Sequence, residues 1–117
     1  MKFLFILNDP PYGTERVYNG LRLAIALPKN APGSEIVVFL MADAVLAARA
    51  GQKTPDGYYN VEKMLRRIVL SGGKVLLCGT CMDARGLPAD QMLEGVERST
   101  MDALAQATIA ADKVIVF

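Results

Sequence analysis

The only two thiols in the chain, Cys78 and Cys81, stand three residues apart. They open the segment Cys78-Gly79-Thr80-Cys81-Met82-Asp83-Ala84-Arg85-Gly86, directly after the run Lys74 to Leu77. A buried strand that ends at Cys78 and passes into a helical turn would put this thiol at a helix N-terminus. Unpaired N–H groups and a partial positive charge favour thiolate over thiol there. The thiolate is the nucleophile, and a persulfide on it is favoured as an anion in the same setting. In a helical turn Cys81 lies on the same face as Cys78, one turn further on. Arg85 can add positive charge, and Asp83 can either orient Arg85 or oppose the thiolate. Free cysteine also serves as a small buried hydrophobe, and a C-x-x-C pair alone does not separate the two roles. A strand-end position tips the balance toward a reactive thiol.

Composition removes several other chemistries. The chain has no histidine, so Ser-His-Asp and Cys-His pairs and histidine-containing metal sites are excluded. Structural zinc needs about four ligands, and one chain supplies two thiolates; the expected metal content is none. Lys and Arg number 13 against 12 Asp and Glu, so no strong basic field draws nucleic acid or a membrane surface. No Gly-rich phosphate loop stands at a strand-to-helix turn, which argues against a nucleotide cofactor; none of any kind is expected. The N-terminal apolar run is too short for a signal h-region, and no stretch approaches ~18 apolar residues. The expectation is a soluble, cytoplasmic protein with reduced cysteines at rest.

The 117 residues fit one domain, 1–117, at ~100–200 residues per domain. Apolar residues make up 52% with no Trp, so the core is aliphatic, and the low charged fraction of 21% suggests apolar surface hidden against copies of the chain. Residues 2–7 and 35–41 read as strands buried on both faces. Thr14 is the expected N-cap of a helix from about Glu15 to Leu27, ending near Pro28. That helix is apolar around much of its circumference, more than sheet packing needs, which points to a subunit contact. Asp43 is expected to cap a short helix reaching about Ala50. Asn60 caps the clearest helix, with Val61, Met64, Leu65, Ile68 and Val69 on one face and Glu62, Lys63, Arg66 and Arg67 on the other. Pro88 to Gly95 reads as a short helix, followed by a short strand near Val96. Ser99 to Asp102 resembles a capping box, ahead of a stripe of Met101, Leu104, Ala105, Thr108 and Ile109. Lys113 to Phe117 is the last strand.

Strands that alternate with helices predict a three-layer α/β/α fold with a mainly parallel sheet. Chemistry then sits outside the carboxyl ends of the strands. The loops Asn8 to Gly13, Ala42-Asp43 and Cys78 to Gly86 gather there, and Asn8, Tyr12 and Asp43 join the candidate site as supporting residues. Lys53, Tyr58 and Tyr59 read either as a lid over the site or as a connector or subunit contact.

Several stretches carry a resemblance. They are Asn8-Asp9-Pro10-Pro11-Tyr12-Gly13 with Leu21-Arg22-Leu23-Ala24, Phe39 to Val45, Gly51-Gln52-Lys53 with Gly57-Tyr58-Tyr59-Asn60, Leu77-Cys78-Gly79-Thr80-Cys81 through Arg85-Gly86, and a tail of Gly95-Val96-Glu97 with Ala111 to Val114. Together they resemble the DsrE/DsrF-like sulfur-relay family, its small YchN-like branch in particular. The resemblance implies a five-stranded parallel sheet and homo-oligomers, trimers or hexamers. It also implies sulfur carried as a cysteine persulfide between donor and acceptor proteins. The family's carrier cysteine follows the third strand and matches Cys78, and Cys81 is shared with the YchN-like branch. On that footing Cys81 is a candidate resolving thiol, attacking the Cys78 persulfide to release sulfide. Two other readings compete: an oligomeric binding or redox-sensing module without turnover, and a dithiol oxidoreductase suggested by C-x-x-C alone.

Overall fold

The computed structural model describes residues 1–117. Five strands form one sheet: β1 (Lys2–Leu7), β2 (Glu35–Leu40), β3 (Lys74–Cys78), β4 (Glu97–Ser99) and β5 (Lys113–Val116). Their spatial order is β4-β3-β2-β1-β5, and every neighbouring pair is parallel. The helices are α1 (Arg16–Asn30), α2 (Val61–Leu70), α3 (Gly79–Ala84) and α4 (Met101–Ala110). Strands β1, β2 and β3 advance in one direction across the sheet, and β4 to β5 returns across its whole width. Right-handed crossovers therefore put α1 and α2 on one face and α4 on the other, which gives the three expected layers.

The two faces are covered unequally. Leu7 points at Gly20 of α1, where an added Cβ would come within 2.8 Å of the Leu7 side chain. Phe3, Phe5 and Leu7 thus meet the α1–α2 layer, with Val17, Leu21, Ala24, Leu65 and Ile68 buried opposite. Alternation and register assign Leu4, Ile6, Val37, Phe39, Leu76 and Cys78 to the α4 face. That layer is thin. Of the predicted α4 stripe only Leu104 is buried, while Met101 is 62% and Ile109 85% exposed. Val114 and Val116 of the edge strand β5 are exposed as well. A single ten-residue helix cannot cover a five-stranded face.

Several expected boundaries move, each for a local reason. Helix α1 starts at Arg16 behind Glu15, which adopts a left-handed conformation (φ 65°) and gives no side-chain cap. Thr14 only reaches the Arg16 N–H, at 3.4 Å. The helix also passes through Pro28. Proline removes one N–H, yet the Asn30 amide donates to the Ala26 carbonyl and Ala31 N–H closes on Leu27, so the last turn holds. Asp43 is not an N-cap; it lies in the first turn of a 3-10 helix, Ala42–Ala48, that begins after extended Met41. The Pro88–Gly95 helix shrinks to a 3-10 turn, Ala89–Gln91. Its backbone is used otherwise: Leu93 N–H donates to Ala48, Ala50 N–H donates to Gln91, and Arg49 bridges Met92. Thr100, not Ser99, caps α4 by accepting from Ala103 N–H. Asn60 caps α2 as expected, accepting from Lys63 N–H.

Candidate functional site

Strand β3 ends on Cys78, and α3 begins at the next residue. Cys78 is the N-cap, and its Sγ accepts from Cys81 N–H at 3.4 Å. The Thr80 hydroxyl lies 3.2 Å from the same sulfur. Helix α3 has six residues, too short for a large macrodipole, so the stabilisation of charge is local. Burial by itself pushes the Cys78 thiol up. The Cys81 side chain, the Thr80 hydroxyl and the two backbone N–H groups outweigh it and hold the thiol below the ordinary cysteine range. Burial pushes Cys81 up, and so does the neighbouring Cys78 sulfur, against the opposing effects of the Ala42 N–H and Arg85. The pair is thereby divided: the Cys78 thiol is held down and the Cys81 thiol is held up.

Cys81 is held from the other side. Ala42, a non-glycine residue at φ 50°, aims its N–H at the Cys81 sulfur, 3.2 Å away. A left-handed alanine costs of order 1–2 kcal/mol, and this strain sits at the end of β2 beside the thiol. Arg85 donates from Nε to Asp43 at 2.8 Å and from Nη1 to the Cys81 carbonyl at 3.0 Å. Asp43 and Arg85 thus fix the far end of the C-x-x-C turn rather than facing Cys78. Asp83 does not orient Arg85. Its two oxygens take Nη1 and Nη2 of Arg98, each at 2.8 Å.

Arg98 is a site residue that sequence reasoning missed. Register pairs Cys78 with Ser99, so Arg98 runs beside the start of α3. Its guanidinium lies across Gly79, where a Cβ would come within 2.9 Å of Cζ and Nε. Arg98, Thr80 and Thr100 line a cavity of about 180 Å³ with Cys78, closed on its apolar side by Phe39, Met41 and Met101. The one available sequence signal was the arginine just past the predicted short strand.

Asn8 and Tyr12 are not brought to the thiols. Asn8 ties the end of β1 to the Phe117 carbonyl through its backbone N–H at 3.2 Å and its side chain at 3.5 Å. Tyr12 donates to Gln52 and accepts from Val61 N–H. It joins a tyrosine ladder: Tyr12 to Tyr59 at 5.4 Å, Tyr59 to Tyr18 at 4.1 Å, and Tyr58 to Tyr59 at 4.5 Å between ring centroids. Tyr58 and Tyr59 are therefore no lid over Cys78. They close one end of a broad groove of about 960 Å³ between α1 and α2, lined also by Arg22, Leu23, Lys63 and Arg67. Arg22 sits over the Tyr18 ring at 5.4 Å.

Glu62 departs from its expected solvent face and is buried. Its carboxylate accepts from Gln52 N–H at 2.9 Å and Gly51 N–H at 3.3 Å and pairs with Arg66. It thus anchors the loop that carries the ladder. Glu62→Ala is expected to destabilise the chain by about 1–3 kcal/mol, the usual cost of stranding partly buried donors. Thermal unfolding would show the loss, and hydrogen exchange at Gln52 N–H would rise with it; Glu62→Gln should recover part of both.

The whole chain, residues 1–117, matches the model of the DsrE/DsrF-like family. Protein YchN of Escherichia coli K12 is 43% identical over 116 residues, 99% of this chain and 98% of that one. Uncharacterized protein MJ0989 of Methanocaldococcus jannaschii is 35% identical over 117 residues, the full length of both. The crystal structure of YchN from E. coli superposes with a TM-score of 0.94, covering 100% of this chain and 99% of that one. The Methanobacterium thermoautotrophicum protein MTH1491, 16% identical, matches at a TM-score of 0.83 over 99% of this chain and 98% of its own, which shows a shared fold. No helix is long and apolar enough to cross a membrane. Family model, relatives and fold agree across the full length: the chain is a member of the DsrE/DsrF-like family, of the YchN-like kind.

Proposed function

We propose that this chain is a sulfur carrier whose Cys78 takes up sulfane sulfur as a persulfide. The observation that carries the reading is the divided thiol pair: Cys78 lines a cavity with its sulfur accepting from the Cys81 N–H and its thiol held below the ordinary cysteine range, while Cys81 lies one turn away. The Cys78 thiolate attacks the outer sulfur of a protonated donor persulfide. The donor S–S bond breaks, the donor thiolate leaves with the electron pair, and Cys78 carries the outer sulfur and its proton as a persulfide. An acceptor thiolate can then attack that outer sulfur, and Cys78 leaves as thiolate. Alternatively Cys81, once deprotonated, attacks Cys78 Sγ of the protonated persulfide; hydrosulfide leaves and a Cys78–Cys81 disulfide forms, which an external thiol must reduce.

Intact-mass measurement after treating the reduced protein with cysteine hydropersulfide tests this. Wild type should gain one sulfur atom, then convert to the disulfide mass. Cys81→Ser should hold the added sulfur, and Cys78→Ser should gain none. A wild-type protein that is reduced, reachable by alkylating agents and never gains sulfur would overturn the proposal.

The carrier works as a homo-oligomer, a trimer or hexamer, that meets donor and acceptor proteins. The thin α4 layer and the groove bearing Tyr18, Tyr58, Tyr59, Arg22 and Arg67 favour this, since Tyr and Arg are enriched at protein interfaces. Cytoplasmic location is part of the same reading, because the dithiol must stay reduced. Sedimentation at micromolar concentration should show an assembly, weakened by Tyr58→Ala or Ile109→Asp. A single species of one chain's mass would refute self-association. These surfaces also fit a redox-sensing module without turnover, which the mass experiment separates from the carrier.

A further inference from the structure

We propose that the cavity at Cys78 selects a small reactant carrying negative charge, and that Arg98 is the residue that makes the selection. The inference rests on the sulfur-carrier reading and adds the charge class of its substrate.

Three features support it. First, Arg98 contributes the one cationic side chain among the groups around the cavity, while the apolar remainder comes from Phe39, Met41 and Met101. No carboxylate lines it. Second, the Arg98–Asp83 pair is oriented. Arg98 borders the cavity and Asp83 does not; the Asp83 side chain is 65% exposed against 46% for Arg98. The arginine of the pair thus borders the cavity that Cys78 also lines, while its carboxylate partner stands in water. Third, the contact with the backbone is shaped for a guanidinium. Only a bare glycine lets Arg98 lie across residue 79, immediately after the cysteine. The bidentate bond to Asp83 fixes it in that place. The other nearby arginine is engaged elsewhere, since Arg85 is held by Asp43 and the Cys81 carbonyl. At about 180 Å³ the cavity admits a few heavy atoms, such as the end of a sulfane-sulfur anion.

The test compares iodoacetate, an anion, with iodoacetamide, its neutral counterpart, at Cys78 in the reduced protein. Peptide mass mapping assigns the label. Both reagents meet the same thiolate, so its population and general access cancel in the ratio of rates. Wild type should favour iodoacetate more than free cysteine does. Arg98→Gln should lower the ratio about fivefold, roughly the attraction of one charge pair near 4 Å in a high dielectric. Arg98→Lys should keep most of the ratio. Gly79→Ala, which displaces the guanidinium without removing it, should lower the ratio. Asp83→Asn should raise it, because the arginine loses its counter-charge. High salt should compress all of these differences. A ratio indifferent to Arg98→Gln would overturn the inference. So would Arg98→Gln and Asp83→Asn moving it in the same direction, the mark of a merely structural clamp. Because the probes are alkylating agents, this result stands apart from persulfide formation, and either claim can fail alone.

Discussion

Phe39→Ala is expected to destabilise the fold by about 3–5 kcal/mol, the usual cost of deleting a buried phenyl ring. Phe39 lies on the central strand β2, is 1% exposed, and faces the side of the sheet that α4 covers thinly. No second helix stands ready to collapse into the space, so relaxation recovers little. For a domain of this size the thermal midpoint should fall by more than about 10 °C. The same ring closes the apolar side of the Cys78 cavity. Truncation should therefore speed Cys78 alkylation by bulky neutral reagents while stability drops. Phe39→Leu should give a milder version of both. A loss under about 1 kcal/mol would mean that this face is not packed as described.

The second large effect concerns protonation. The Cys78 thiol lies below its ordinary value because donors from Cys81 and Thr80 outweigh burial. The depressed value makes the thiolate, and any stabilisation tied to it, present at high pH and lost as pH falls through the folded value. The rate of Cys78 alkylation should accordingly rise with pH through a midpoint below the ~8.5 of free cysteine. Cys81→Ala removes the side-chain donor. The midpoint should move up, and the rate at neutral pH should fall about tenfold, the scale of one hydrogen bond to a charged group. Thr80→Ala should shift it the same way by less. An unchanged profile in Cys81→Ala would show that the second thiol merely packs.

The fold was legible because its three inner strands are largely apolar runs. Residues 2–7 and 35–40 can only be buried on both faces, and helices between them force parallel pairing. The placement of Cys78 at a strand-to-helix junction followed directly. Legibility failed wherever a long-range partner overrode a local preference. Pro28 signals a helix end, but the Asn30 side chain repairs the last turn. Glu62 sits on the polar side of the α2 wheel, yet two loop N–H groups draw it inward. Asp83 is two residues from Arg85 but pairs with Arg98, fifteen residues away, because β4 docks beside β3. Tyr12 follows the β1 loop as expected, then turns toward Tyr59 and α2 instead of the thiols. Helical and strand periods report on burial; they carry no information about which charge crosses to which strand.

Thiolate absorbance near 240 nm, followed as the reduced protein is titrated, tests the division of the two sulfurs most directly. Two separated steps are predicted, an early one that disappears in Cys78→Ser and a late one that disappears in Cys81→Ser. Both thiols ionising together at the value of a free cysteine would contradict the account, because neither sulfur would then be held as the nucleophile.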